Sequence, residues 1–222
     1  MGSVGTDAGR AESVPAAIRT RIMARTGGKE RREQLIAEAI RLFGQRGYDA
    51  ATLDAVAEAA GVRKQSLLYY FPTKEDLFDA CVDELSGRVA RTLEHALARI
   101  EEDDDPIPRV IHAIFKLAQE APEFPGFMRE ASWRGPNVVQ RFAGVMDPLR
   151  KRALVFLERG MSSGKFRKQD PILLLFMIYT AVVGSITEAG VLRAVGGGAG
   201  GRAALRKREE ELIQFVRAAL AP

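Results

Sequence analysis

Residues 52–71 carry side chains suited to holding a polyanion and reading its edges. Gln65 and Ser66 offer hydrogen-bonding groups for base edges or phosphates. Tyr69 and Tyr70 each join a phenolic hydroxyl to an apolar ring, and Arg63 and Lys64 place two cations just ahead of them. On a 3.6-residue helix, Leu67 and Phe71 face one way, while Gln65, Ser66 and Tyr69 face roughly the other. Immediately upstream, TLDAVAEAAGV sets Leu53, Val56, Ala57 and Ala60 at i, i+3, i+4 and i+7. Small Ala57 and Ala60 let two helices approach closely, and Gly61 permits a tight turn between them. Two short helices about such a turn form the plan whose second helix enters the DNA major groove.

The surrounding sequence supplies the elements that would hold this pair. A helix is expected over 29–46, with Leu35, Ile36, Ala39, Ile40, Leu42 and Phe43 on its apolar side and Gly47 just past its end. Thr52 suits an N-cap, and Asp54 adds a negative charge in the following first turn. Pro72 ends the second short helix. Thr73 restarts the chain as an N-cap, with Asp76 reaching back like the acid of a capping box. A long helix then runs to about 101, followed by the acidic run EEDDD. Further helices are expected at about 107–120, 124–132, 137–162, 171–194 and 203–220. Asp147-Pro148 is expected to start a new segment inside 137–162, and Asp170-Pro171 to open the next helix. The stretch GGGAGGR at 196–202 reads as a flexible connection. Strand signals are nearly absent, so the chain reads as all-α.

Composition sharpens this picture. The chain has 222 residues and a net charge of +4. Residues 1–74 hold 12 Lys/Arg against 8 Asp/Glu, whereas 75–222 hold 21 of each. All the excess positive charge therefore lies in the third that carries the helix pair, as an anionic partner would require. Residues 1–28 lack the apolar stretch of a secretory signal and read as a disordered basic arm. The Arg-rich tail, Arg19 to Arg32, has a functional version as an arm that follows a minor groove or backbone, and a plainer version that is simply solvated. The single cysteine, Cys81, excludes an intrachain disulfide framework and a multi-cysteine zinc site, and fits a reducing, cytoplasmic setting. It reads most simply as a small helix residue. The 17 uncharged residues from Pro171 to Thr187 fall short of the roughly 20 that a membrane span needs. A helix apolar all round is otherwise buried in a core or an oligomer interface.

Three segments in order resemble the DNA-binding domain of the TetR family: the helix ending Phe43 to Tyr48, then Thr52 to Val62, then SLLYYFPTKEDL from Ser66 to Leu77. The resemblance covers about 30–77 directly. It implies a three-helix helix-turn-helix head over 29–74. Behind the head it implies a ligand-binding and dimerisation domain of about six helices over 75–222. It also implies a homodimer on a palindromic operator in double-stranded DNA, usually answering to a small molecule. Family contacts map onto Thr52, Lys64, Gln65, Ser66, Tyr69, Tyr70 and Lys74. Lys74, at a helix N-terminus, would pair with a phosphate. Leu68 and Arg63 depart from the family pattern. Leu68 stands where a phosphate-binding Tyr is common. Arg63 stands where a capping Ser or Thr is common, so it exchanges a cap for a cation that can meet a phosphate. Thr52 has a plain reading as a cap only, and Tyr70 a plain reading as partly core.

In the C-terminal part Phe115, Phe127, Trp133, Phe142, Met146 and Met177 are the candidates for an apolar effector pocket. Their plainer reading is hydrophobic core. His95 and His112 share no face at i, i+4, so no metal site is expected, and no cofactor motif is present. There is no G-x-S-x-G, P-loop or dinucleotide fingerprint, which argues against an enzyme. The apolar stretch from 171 and the stripe Leu212, Ile213, Val216, Ala219 and Leu220 suit a four-helix interface between two copies. The expected function is a ligand-responsive regulator, a repressor released by an apolar small molecule. The competing reading is a helical ligand-binding or interaction protein with weak, non-specific DNA binding.

Overall fold

The computed structural model of the chain describes residues 16–98, 105–197 and 200–222, with side chains from residue 27 onward. Among the described residues it consists of ten helices and no strand. The first, α1 (Ala16–Arg46), buries Leu35, Ile36, Ala39, Ile40, Leu42 and Phe43. It ends where Gly47 turns to φ +78° and its amide donates to the Phe43 carbonyl at 2.9 Å. The helix begins earlier than the expected residue 29. Residues 16–28 were expected as part of a disordered arm, but they continue α1. Ala16, Ala17, Met23, Ala24 and the arginines among them are strong helix formers, and two glycines cost only about 2 kcal/mol relative to alanine. The remainder of the expected arm, residues 1–15, lies outside the described residues.

Two short helices follow, α2 (Leu53–Ala59) and α3 (Lys64–Tyr70). Gly61, at φ +65°, makes the turn between them, a conformation in which a Cβ would be strained. Leu67 and Phe71 anchor α3 to α1 and α2 by full burial. Next, α4 (Lys74–Leu97) runs from this head into the rest of the molecule. Leu77, Phe78 and Cys81 on α4 are buried in the same hydrophobic core as α1, and Val82, Leu85 and Val89 continue the stripe.

Six helices follow: α5 (Ile107–Glu120), α6 (Phe124–Trp133), α7 (Pro136–Ser162), α8 (Pro171–Thr187), α9 (Ala189–Ala194) and α10 (Gly201–Leu220). Of these, α5 and α7 pack on α4, α6 packs on α1, α8 on α6 and α7, and α10 on α5 and α8. Two expectations change here. Pro148 does not start a new segment, because α7 runs through it unbroken. Packing along α4, with Val138, Leu149 and Leu157 buried on both sides of the proline, holds the helix across the lost hydrogen bond. The helix expected over 171–194 is instead two. The backbone leaves helical geometry at Glu188, and Arg208 of α10 donates to the Ser185 carbonyl at 3.0 Å in the last turn of α8. Asp170 caps α8 as expected, accepting from the amides of Ile172 and Leu173 at 2.8 and 3.1 Å. Among the described residues, no helix is long and apolar enough to cross a membrane.

The head meets the rest of the molecule through α4 and through one unusually close crossing, α1 on α6. A Cβ built on Gly126 would stand 2.3 Å from the Gly44 carbonyl oxygen, and one on Gly44 would stand 2.6 Å from the Glu123 carbonyl oxygen. The two helices therefore touch backbone to backbone. Gly126→Ala is expected to destabilise the protein by about 1–3 kcal/mol, the usual cost of overpacking, and to lower its thermal midpoint by several degrees. Gly144→Ala, whose Cβ would meet nothing within 4 Å, serves as the control and should not lower the midpoint in the same melt.

Candidate nucleic-acid interface

The head presents one polar face. On α3, Lys64, Gln65, Ser66 and Tyr69 are all exposed, and Tyr69 keeps 83% of its surface open. Tyr70 is half-buried and packs edge-on to Tyr69 with centroids 5.3 Å apart, so its core and surface readings both apply. Leu68 is half-buried too. Arg63 sits at the N-cap of α3 without a side-chain capping bond, and its guanidinium side is exposed. The Lys64 ammonium bridges α3 to α2 through Asp54 at 2.8 Å. Thr52 is the expected N-cap of α2, its hydroxyl oxygen accepting from the Ala55 amide at 3.1 Å.

Lys74 stands at the first position of α4. Thr73 and Asp76 form the expected capping box: the Asp76 amide donates to the Thr73 hydroxyl at 3.0 Å, and the Thr73 amide to the Asp76 carboxylate at 3.0 Å. The ammonium of Lys74 donates to the Asp49 carbonyl at 3.3 Å and lies 4.3 Å from the centre of the Tyr48 ring. Tyr48 was not among the candidates. Its burial and neighbouring acids push its phenol above the usual range, against the pull of nearby Arg134. It thus stays a neutral ring at ordinary pH.

Behind the head, α4, α6, α7 and α8 frame an apolar cavity of about 50 Å³. Phe127 and Phe142, two of the six effector-pocket candidates, line it. The other four candidates do not. Phe115 is fully buried in the core. Met146 is half-buried beside the core and not on the cavity. Trp133 closes α6 and is 86% exposed, because the last turn points it to solvent. Met177 is exposed on α8 together with Ile172, Leu173 and Phe176. The walls that sequence reasoning missed include Val82, Leu85, Met128, Val138 and Tyr179. Val82 with Leu85, and Val138 with Phe142, lie three and four residues apart, a signal shared with any buried stripe. The polar groups at this cavity are Ser132, which donates to the Met128 carbonyl at 2.8 Å, and the Tyr179 phenol, which partial burial raises.

The remaining reactive groups have structural roles. Cys81 is buried, burial pushes its thiol far up, and its Sγ faces the Ile36 carbonyl at 3.8 Å. His112 lies 2.7 Å from the Glu209 carboxylate and joins α5 to α10. Among the described residues, no His, Cys, Asp and Glu gather as metal ligands would.

A buried three-helix head with an exposed polar recognition face, set on helices that enclose an apolar cavity, defines a DNA-binding regulator of the helix-turn-helix class. The family model described as bacterial regulatory proteins, tetR family, matches residues 35–81. The HTH-type transcriptional regulator RutR of Escherichia coli is 26% identical over 155 residues, covering 68% of this chain and 71% of RutR. The biofilm operon negative regulator IcaR of Staphylococcus aureus is 37% identical over 60 residues, 25% of this chain and 32% of IcaR. FadR of Bacillus subtilis, solved in complex with stearoyl-CoA, superposes with a TM-score of 0.68 at 18% identity, covering 85% of this chain and 98% of FadR. Residues 35–81 thus match the DNA-binding domain of the tetR family of bacterial regulatory proteins, the relatives matched in sequence are named transcriptional regulators, and the rest of the chain shares the fold of FadR.

Removing the hydroxyl in Thr73→Ala should cost about 1 kcal/mol in a urea titration, with Thr73→Ser close to the parent. An unchanged midpoint for Thr73→Ala would show that the box does not hold the start of α4.

Proposed function

We propose that the chain works as a homodimeric repressor in the cytoplasm, whose paired α3 helices read a palindromic operator. A small apolar effector would release it by entering the cavity behind α6. The observation that carries the DNA reading is the outward face of α3. Gln65, Ser66 and Tyr69 are exposed and point away from the core that Leu67 and Phe71 anchor. In this reading Gln65, Ser66 and Tyr69 reach base edges or the adjoining backbone. Thr52, Arg63, Lys64, Tyr70 and Lys74 hold phosphates and set the register. IcaR, named a negative regulator, supports repression as the mode.

The dimer reading rests on α8 and α10. Ile172, Leu173, Phe176 and Met177 on α8 and Phe215 on α10 are large apolar side chains left exposed on one chain. A patch of this kind is what a partner copy would cover. The effector reading rests on the cavity walls, apolar except for Ser132 and Tyr179. At about 50 Å³ the cavity is far smaller than the roughly 300–1,000 Å³ of a drug-sized site, so an effector must part the helices to enter. That parting supplies the difference in affinity between two conformations which release from DNA requires. FadR, solved with stearoyl-CoA, supports an apolar ligand within this fold.

A gel-shift assay on the DNA upstream of its own gene tests the DNA reading. The parent should give a sequence-specific shift, and Gln65→Ala with Tyr69→Ala should weaken it at least tenfold, about 1–3 kcal/mol for each lost base contact. No specific shift, or one that the double variant leaves intact, would overturn the reading in favour of a helical binding protein. Separately, Phe176→Asp with Phe215→Asp should convert the dimer to monomer in sedimentation and lower operator affinity. A dimer that survives both changes would place the interface elsewhere.

A further inference from the structure

Helix α6 is two-faced in a way that reaches a DNA-contacting side chain. Phe127, Met128, Ala131 and Ser132 line the apolar cavity. Gly126, Glu130 and Arg134 follow at i, i+4 and i+8 and meet the end of α1 and the turn after it. Gly126 lies against the Gly44 backbone, and the Glu130 carboxylate stands 3.4 Å from where a Cβ on Gly47 would be. At the C-cap of α6, the Arg134 guanidinium carbon lies 3.6 Å from the Tyr48 ring centre.

That ring also carries the ammonium of Lys74 at 4.3 Å. Tyr48 is fixed by a stacked contact with Phe43, centroids 5.5 Å apart, and an edge-on contact with Phe78 at 5.1 Å. Phe78 in turn stacks on Phe127 of the cavity wall at 5.1 Å. One aromatic ring thus serves two cations, one from the head and one from the effector-side helix. A ring face attracts each cation, while the cations repel one another. Arg134 is the closer of the two, so its charge weakens the hold that the same ring has on the Lys74 ammonium, which also donates to the Asp49 carbonyl at 3.3 Å.

We propose that Arg134 of α6 is a positioning residue for DNA binding: by sharing the ring of Tyr48 it loosens the ring's hold on the Lys74 ammonium, which then leaves the ring more readily for a DNA phosphate. Arg134 itself contacts no DNA in this proposal. A shift of α6 carries Arg134 off the ring, and the ring then retains Lys74 more tightly. The inference rests on the proposed Lys74 phosphate contact and adds a residue outside the helix-turn-helix that governs it.

The test is a double-mutant cycle on the full-length protein, read by fluorescence anisotropy over a series of salt concentrations. The probe is a DNA duplex that the parent protein has selected from a random-sequence pool. Failure to select any duplex would sink the DNA-binding reading itself, which separates that failure from this one. Arg134→Ala should weaken binding about two- to fivefold, the range for an exposed cation–π contact. It should also lower the salt slope by about as much as Lys74→Ala does, roughly one phosphate contact per head. In a Lys74→Ala background, Arg134→Ala should cost nothing further. Arg134→Lys, which keeps the charge but has no plane to stack, should show the same dependence on Lys74 and serves if the alanine variant unfolds. Additive losses would mean that Arg134 acts independently of Lys74, and no loss would mean that it does not act; either result overturns the proposal.

Discussion

The carbonyl of Gly44 lies so near α6 that no side chain fits between the two backbones. Much else follows from that contact. It brings α6 within reach of the turn after α1, so Arg134, at the C-cap of this cavity-lining helix, can lie over a ring of the head. It also makes Phe43, Tyr48, Phe78 and Phe127 one continuous aromatic group, drawn from α1, the following turn, α4 and α6. Packed interiors transmit displacement because they lack slack to absorb it. A head joined only through α4 would be free to rock about a single helix. Joined through α4 and α6 together, it has a defined orientation, and a change in either helix moves it.

The cavity belongs to the same arrangement. Its walls and the joint to the head share α6, so one helix of ten residues must satisfy both. The small volume fits this economy. A spacious site would accept a ligand without moving its walls, and equal affinity for two conformations shifts nothing. In the proposed reading a tight site would turn a ligand's volume into a helix displacement: the apolar walls would contribute affinity through buried area, and the displacement would supply the regulatory signal.

The head was legible in the sequence because its determinants are local. Thr52 and Thr73 each cap the residue three positions on, and Gly47 and Gly61 turn where side-chain sterics allow little else. Leu67 and Phe71 fix the rotation of α3, and so also which residues face out. The effector side was less legible. Aromatic and methionine residues at helical spacing announce burial against something, but not which neighbour. Trp133 and Phe115 look alike in sequence and end at opposite extremes of exposure. On α8, apolar all round, periodicity carries no phase, so Met177 could not be oriented from spacing. Pro148 and Glu188 were misjudged for a related reason, since tertiary contacts decided whether each helix continued. Tyr48 showed in the sequence only as the end of the first motif, because its contact with Arg134 joins it to a residue 86 positions further along the chain.

Cys81 gives one further consequence. It is the chain's sole thiol, and it is buried where α4 meets the carbonyl of Ile36 on α1. Its proton is held tightly, so a thiol reagent meets neither access nor a nucleophile while the joint is shut. Chemical labelling at this position is therefore a built-in clock for the parting of α1 from α4. Its rate measures how often the head loosens from its support, with no probe introduced and no surface residue altered.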